Sequence, residues 1–277
     1  MFTTLDAKPQ EWMQGDPRVL HTVAACHFTS PKHAEHSINL LAPKNRNGEF
    51  VKWAGGRRKD ESRSAFVSGC VEHASKFDFS ITCVSSREDE MSWFAWAFYY
   101  PNRHLITQGP DAKKRNCLKF ELGNGESIEF PVLRAGYLIW YHNVVRYLSD
   151  AKGINGKFLS DNFCNDEVGP GPGKARGVAF INWLLSMRDP KPKISLPTND
   201  RFCRLDLLSD HFCGLANTVW SGVATDQQTA DFNKLEQSRP DLIENVRLAT
   251  DLTIVDQNGV DVTAQVKAAV AKGSVDG

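Results

Sequence analysis

The segment Leu205-Asp206-Leu207-Leu208-Ser209-Asp210-His211-Phe212-Cys213-Gly214-Leu215-Ala216 has the spacing of an amphipathic helix with one discordant residue. Leu207, Leu208, Cys213, Leu215 and Ala216 make an apolar face, and Asp210 interrupts it. A carboxylate on such a face loses hydration and must be matched by something positive. Outward from this helix, taken as 205–219, the same periodicity predicts helices over 34–41, 62–76, 88–99, 136–148 and 174–187. Alternating or continuous apolar runs predict strands over 2–5, 19–28, 79–84, 157–159 and 194–196. Strands come first and then alternate with helices, the order of an α/β protein whose mixed sheet is flanked by helices on its faces.

Composition narrows the class. The 277 residues carry 33 basic and 33 acidic side chains and are 41% hydrophobic, which excludes charge-driven disorder. The 13 prolines and 20 glycines form no repeat, so a collagen-like chain is excluded too. The longest apolar region, 91–100, is about ten residues, short of the roughly 18 a membrane helix needs. No secretion signal is read at the N-terminus, and a cytoplasmic location is expected. Seven cysteines, at 26, 70, 83, 117, 164, 203 and 213, are odd in number and contain no CxxC, so they read as reduced thiols serving as small hydrophobes.

Two segments depart from the strand–helix alternation. Residues 117–132 alternate around Gly123-Asn124-Gly125 and read as an inserted β-hairpin, with Lys113-Lys114-Arg115 just before it. Residues 223–277 hold nine acidic and five basic side chains and read as a C-terminal acidic, helical appendage to a domain spanning 1–222. Within the appendage a helix is expected over 229–252, interrupted at Pro240, then a turn at 256–259 and a short helix over 264–271. Its expected use is docking to a partner protein, self-association, or simple capping of the core.

Four carboxylates stand at strand ends or inside an apolar face: Asp6, Glu49, Asp161 and Asp210. If they converge they need a cation. Hard oxygen donors favour Mg²⁺ or Mn²⁺, and two such ions about 3.5–4 Å apart can clamp the attacking and leaving oxygens of a phosphodiester. A basic run over 44–63 holds seven Lys/Arg against three acids, the footprint of contact with a nucleic-acid backbone. Trp53 and the aromatics of 94–100 are candidates for base stacking, or for core.

Other signals are weaker. Gly169-Pro170-Gly171-Pro172-Gly173-Lys174 lacks the phosphate-loop pattern and its prolines remove amide donors, although Lys174 and Arg176 at the helix start could hold a phosphate. Cys26-His27 with His33 and His36 makes a poor zinc set, because adjacent strand residues point to opposite faces. His211 points about 100° away from Asp210 on a helix. Cys213 and Cys164 have no recognisable base beside them.

In the order Thr4-Leu5-Asp6, Glu49-Phe50-Val51-Lys52-Trp53, Phe158-Leu159-Ser160-Asp161 and Leu205-Asp206-Leu207-Leu208-Ser209-Asp210, the chain resembles the ribonuclease H-like proteins grouped as domain of unknown function 3800, over about residues 1–222. Where members carry Asp-Glu-Ser-Gly, this chain reads Asp6-Ala7-Lys8-Pro9. The resemblance implies a ribonuclease H-like fold and a divalent-metal-dependent nuclease or related phosphodiester hydrolase, of the kind found in bacterial and phage defence. It implies Asp6, Glu49, Asp161 and Asp210 as catalytic metal ligands. Lys52, Arg57, Arg58 and Lys174 would hold the substrate, RNA or DNA. The alternative is a catalytically inactive module of the same fold that contacts a partner protein or nucleic acid.

Overall fold

The computed structural model describes residues 18–53, 59–88, 90–91, 94, 106–108, 117–122, 125–153, 157–159, 173–187, 193–195, 205–248, 258–265 and 268. In chain order its elements are β1 (Leu20–His27), α1 (Pro31–Leu41), α2 (Lys59–His73), a 3₁₀ turn (Ala74–Lys76), β2 (Ser80–Arg87) and β3 (Ile106–Gln108). There follow β4 (Cys117–Leu122), β5 (Glu126–Pro131), α3 (Val132–Lys152), β6 (Lys157–Leu159) and α4 (Gly173–Ser186). The last are β7 (Lys193–Ser195), α5 (Leu207–Trp220), α6 (Asp226–Ser238) and β8 (Ile243–Arg247).

The protein is mixed α/β, built on a small mixed sheet of order β1-β2-β8. β1 and β2 pair antiparallel with Ala24 opposite Cys83, and β8 joins β2 in parallel with Ile81 opposite Ile243. Because strand side chains alternate, one face carries Ala24, Cys26, Ile81 and Cys83 into a core with Ile38, Phe66, Leu208, Phe212, Phe232 and Leu235. The other carries Val23 and Val84 into a second core with Phe120, Phe130, Trp140, Phe180 and Leu185. A sheet buried on both faces reads as continuous apolar runs, which is why 19–28 and 79–84 were legible. Burial pushes the Cys26 and Cys213 thiols up to about 12, so both stay protonated, as small hydrophobes should.

The hairpin reading of 117–132 matches the antiparallel β4–β5 pair, Cys117 opposite Pro131 and Leu122 opposite Glu126, with Gly125 at φ 86°. Its inward residues Leu118, Phe120, Leu122, Ile128 and Phe130 lie in the second core, and β3 adds a third strand. β6 and β7 form a separate parallel pair, Phe158 beside Ile194. Of the expected helix over 88–99, residues 88, 90, 91 and 94 are described, and Met91 and Phe94 are buried, the core reading of that aromatic run. The expected strand 2–5 lies outside the described residues.

The expectation for 229–252 needs correction. A capping box starts α6 earlier, at Asp226: the Thr225 hydroxyl accepts from the Gln228 amide and the Gln228 side chain accepts from the Thr225 amide. The helix then ends at Ser238, and after Pro240 the chain becomes β8 rather than more helix. Arg239 fixes this corner, donating from Nη1 to the carbonyls of Ala74 and Phe77 at 2.7 and 2.9 Å and from Nε and Nη2 to the Asp241 carboxylate. Phe232, Leu235 and Leu242 are buried with the first core, so residues 226–247 of the segment read as an appendage are built into the sheet and its packing. Residues 263–265 and 268, within or beside the expected terminal helix, are helical. Among the described residues no helix is long and apolar enough to cross a membrane.

Candidate functional site

α5 crosses β1 with polar as well as apolar contacts, and this places its first turn. Asn217 Nδ2 donates to the Leu20 carbonyl at 2.6 Å and Cys213 Sγ to the Thr22 carbonyl at 2.9 Å. Moving toward the start of α5 therefore moves toward the C-terminal end of β1, where Asp210 and His211 face residues 51–53.

Those residues end a small hairpin. The Val51 amide donates to the Pro43 carbonyl, Lys44 bridges Phe50, and Asn45 pairs with Glu49 around a turn whose Gly48 has φ 79°. Asn45 closes the turn with its side chain, accepting at Oδ1 from the amides of Asn47 and Glu49 and donating from Nδ2 to Glu49 Oε2 at 2.8 Å. Glu49 is exposed, and its carboxylate serves this turn.

The far end of the hairpin is clamped at Trp53. The Trp53 amide donates to Asp210 Oδ2 at 2.7 Å, and Arg63 Nε donates to the Trp53 carbonyl at 3.1 Å. The Arg63 guanidinium also lies over the indole, 4.8 Å from its centroid. His211 Nε2 is 2.8 Å from the Val51 carbonyl, so that nitrogen carries the proton. The His211 ring is fully buried, stacked on Phe66 at 4.6 Å, and among the described residues its Nδ1 has no hydrogen-bond partner. Burial holds this imidazole below its usual range, against the opposing pull of the Val51 carbonyl and Asp210. Gly214 completes the clamp: a Cβ built there would fall inside the Trp53 indole.

Trp53 is thus a buried clamp residue rather than an exposed stacking platform. Asp6, Asp161, Arg57 and Arg58 lie outside the described residues. Lys174 is in the first turn of α4, and Lys52 is exposed on the hairpin. Glu49 and Asp210 already serve an asparagine amide and a backbone amide, and among the described residues no group of three or more His, Cys, Asp or Glu could hold a metal ion. The described residues therefore do not by themselves make the expected dication site.

Sequence reasoning missed two arrangements. A glycine inside a helix costs about 1 kcal/mol relative to alanine, so Gly214 within α5 was a readable anomaly pointing to close approach. The second is a polar row across all three strands, with His27 Nε2 3.1 Å from Thr82 Oγ1, which donates to Glu244 Oε2 at 3.4 Å. Residues so far apart in the chain carry no local signal of their meeting. Comparison with protein-family models, with curated proteins and with solved structures gives no match.

Proposed function

We propose that the chain is a nucleic-acid-binding module that grips the phosphate backbone with the 44–53 hairpin, through Lys44, Arg46 and Lys52. One observation carries this reading. The hairpin is fixed by its own turn and by the buried grip on Val51 and Trp53, while those three cations stand exposed on it. Fixing a loop before binding removes an ordering cost that a mobile basic loop would incur. Arg57 and Arg58 continue the basic run in sequence.

The test is fluorescence anisotropy of labelled RNA and DNA against salt. Three phosphate contacts should lower affinity about 20- to 40-fold between 50 and 200 mM salt. Replacing Arg46 and Lys52 together by Glu should flatten the log–log slope by about 1.4–1.8. An unchanged slope in that double variant rejects the hairpin as the contact surface.

The hydrolytic form of this reading is favoured by one placement: Asp210 sits directly under the hairpin, bonded to the residue after Lys52. A sheet with an antiparallel pair, a parallel third strand and helices on both faces is in keeping with a ribonuclease H-like frame. In that frame Asp6 and Asp161 would join Asp210 to hold Mg²⁺ or Mn²⁺, Lys174 would hold a phosphate, and Glu49, engaged at the Asn45 turn at the other end of the hairpin, would stand apart from them. Mn²⁺-dependent cleavage of labelled RNA or DNA, lost in Asp161→Asn, is its signature; binding without divalent-dependent cleavage leaves the inactive module.

A further inference from the structure

β1 and β2 pair antiparallel out to His27 opposite Ser80, and counting the same register two residues further sets Thr29 against Asp78. His33, in the first turn of α1, reaches back to both. Its Nδ1 lies 3.1 Å from Thr29 Oγ1, and its Nε2 meets the Asp78 carboxylate. A carboxylate can only accept, so Nε2 carries the proton, Nδ1 offers its lone pair, and the Thr29 hydroxyl is the donor to it. The ring stands edge-on to Phe28 at 5.6 Å and has Phe79 at 6.4 Å. Thr29 and Asp78 are exposed. Capping does not account for the row, because the Ser30 side chain already accepts from the His33 amide and starts the helix without it.

We infer that Thr29, His33 and Asp78 form an acyl-transfer site for small carboxylic esters, with Thr29 as nucleophile, His33 as general base and Asp78 as the positioning residue. The site is independent of the nucleic-acid reading above. A hydroxyl within about 2.6–3.2 Å of a base that a third group orients is an activated nucleophile. Thr29 Oγ1 bonds to the ester carbonyl carbon as its proton passes to His33 Nδ1. The bond from that carbon to the alcohol oxygen then breaks, and the alcohol leaves with the proton from Nδ1. Water repeats the sequence on the acyl-threonine: it gives a proton to Nδ1 and its oxygen to the acyl carbon, and the acid leaves as Thr29 recovers its proton. Asp78 holds the ring in the required tautomer and offsets the imidazolium charge in each half. Thr29 also directly precedes the N-cap of an 11-residue helix, whose positive end favours the charge that gathers on the carbonyl oxygen. The exposed Asp78 carboxylate repels anions, so uncharged esters rather than phosphates suit the site.

The experiment mixes the intact chain with p-nitrophenyl acetate, follows nitrophenolate release, and locates the acetyl group by peptide mass spectrometry after an acid quench. The acetyl group should be found on Thr29. Thr29→Val, which keeps the shape of the side chain, should lose that label and the Thr29-dependent release, and Thr29→Ser should keep both. His33→Ala should slow acylation by about 10²–10⁴-fold, with imidazole in solution restoring part of the rate. Asp78→Asn should slow acylation with KM unchanged, and Asp78→Glu should recover it. Acetylation confined to other side chains of the wild type overturns the inference, whether or not the variants fold. So does acylation at the wild-type rate in His33→Ala, or release that survives Thr29→Val, with circular dichroism unchanged. Either failure leaves oligonucleotide binding by the hairpin standing, because the two surfaces share no residue.

Discussion

The amide of Trp53 and the carboxylate of Asp210, 157 positions apart, meet at 2.7 Å and tie a basic hairpin to the helix that spans β1. A backbone N–H has only one proton to donate, and in a part-buried place leaving it unpaired costs free energy. The acid that broke the apolar face of α5 therefore has a partner in the fold, and that partner is a main-chain dipole.

Replacing Asp210 separates the acceptor from the charge. Asp210→Ala leaves the Trp53 amide without its acceptor and should cost about 1.5–3 kcal/mol, the range for hydrogen bonds to charged groups. Asp210→Asn keeps an oxygen in the same place and should cost well under half of that. Urea unfolding measures both. Equal destabilisation by the two variants would show that the charge, not the hydrogen bond, is what the fold uses.

Gly214→Ala sets two effects against each other. Alanine favours the helix by about 1 kcal/mol, but its methyl would occupy the Trp53 indole. Overpacking of that kind costs about 1–3 kcal/mol, and here it also pushes the hairpin away from α5. The expected outcome is net destabilisation in thermal unfolding with a shift in tryptophan fluorescence. A rise in Tm would mean that the indole leaves its place at no cost.

How much of this was legible depended on how local the cause was. The strand over 20–27 and the β4–β5 hairpin could be read because apolar alternation and a Gly-Asn-Gly turn are written in neighbouring residues. β8 could not: Ile-Glu-Asn-Val-Arg has no strong strand signature, and what makes it a strand is the parallel ladder with Ile81–Ser85. The carboxylates divide in the same way. Glu49 and Asp210 were readable as acids in notable places, but an amide at Trp53 or a turn at Asn45 is invisible to a search for side-chain partners.

Arg239 explains why α6 stops where it does. Its Nη1 serves the carbonyls of Ala74, which opens the 3₁₀ turn, and Phe77, which follows it, while Nε and Nη2 hold the Asp241 carboxylate. Arg239→Ala should cost about 1–2 kcal/mol through the two part-buried carbonyls it leaves behind. Arg239→Lys should recover little, because an ammonium cannot span that fork. Asp241→Ala should cost less than either, since its carboxylate is exposed and the ion pair it makes is screened by water. A larger loss at Asp241 than at Arg239 in urea unfolding would assign the corner to the ion pair.

His211 makes stability depend on acid in a definite direction. Its imidazole is buried and neutral, with one proton on the nitrogen facing Val51 and, among the described residues, no acceptor for the N–H that a second proton would make at Nδ1. Burial lowers its affinity for that second proton below the ordinary 6.5, so the unfolded chain binds the proton first. The stabilisation is fully present above pH 6.5 and is lost progressively as pH falls from 6.5 toward the depressed folded value. His211→Gln can still donate to the Val51 carbonyl but cannot titrate. Urea unfolding of the wild type between pH 7.5 and 5 should therefore show a steeper loss of stability than the variant does, with the two curves parallel above pH 7. Parallel curves over the whole range, in a variant that folds, would mean that His211 accepts its second proton without strain.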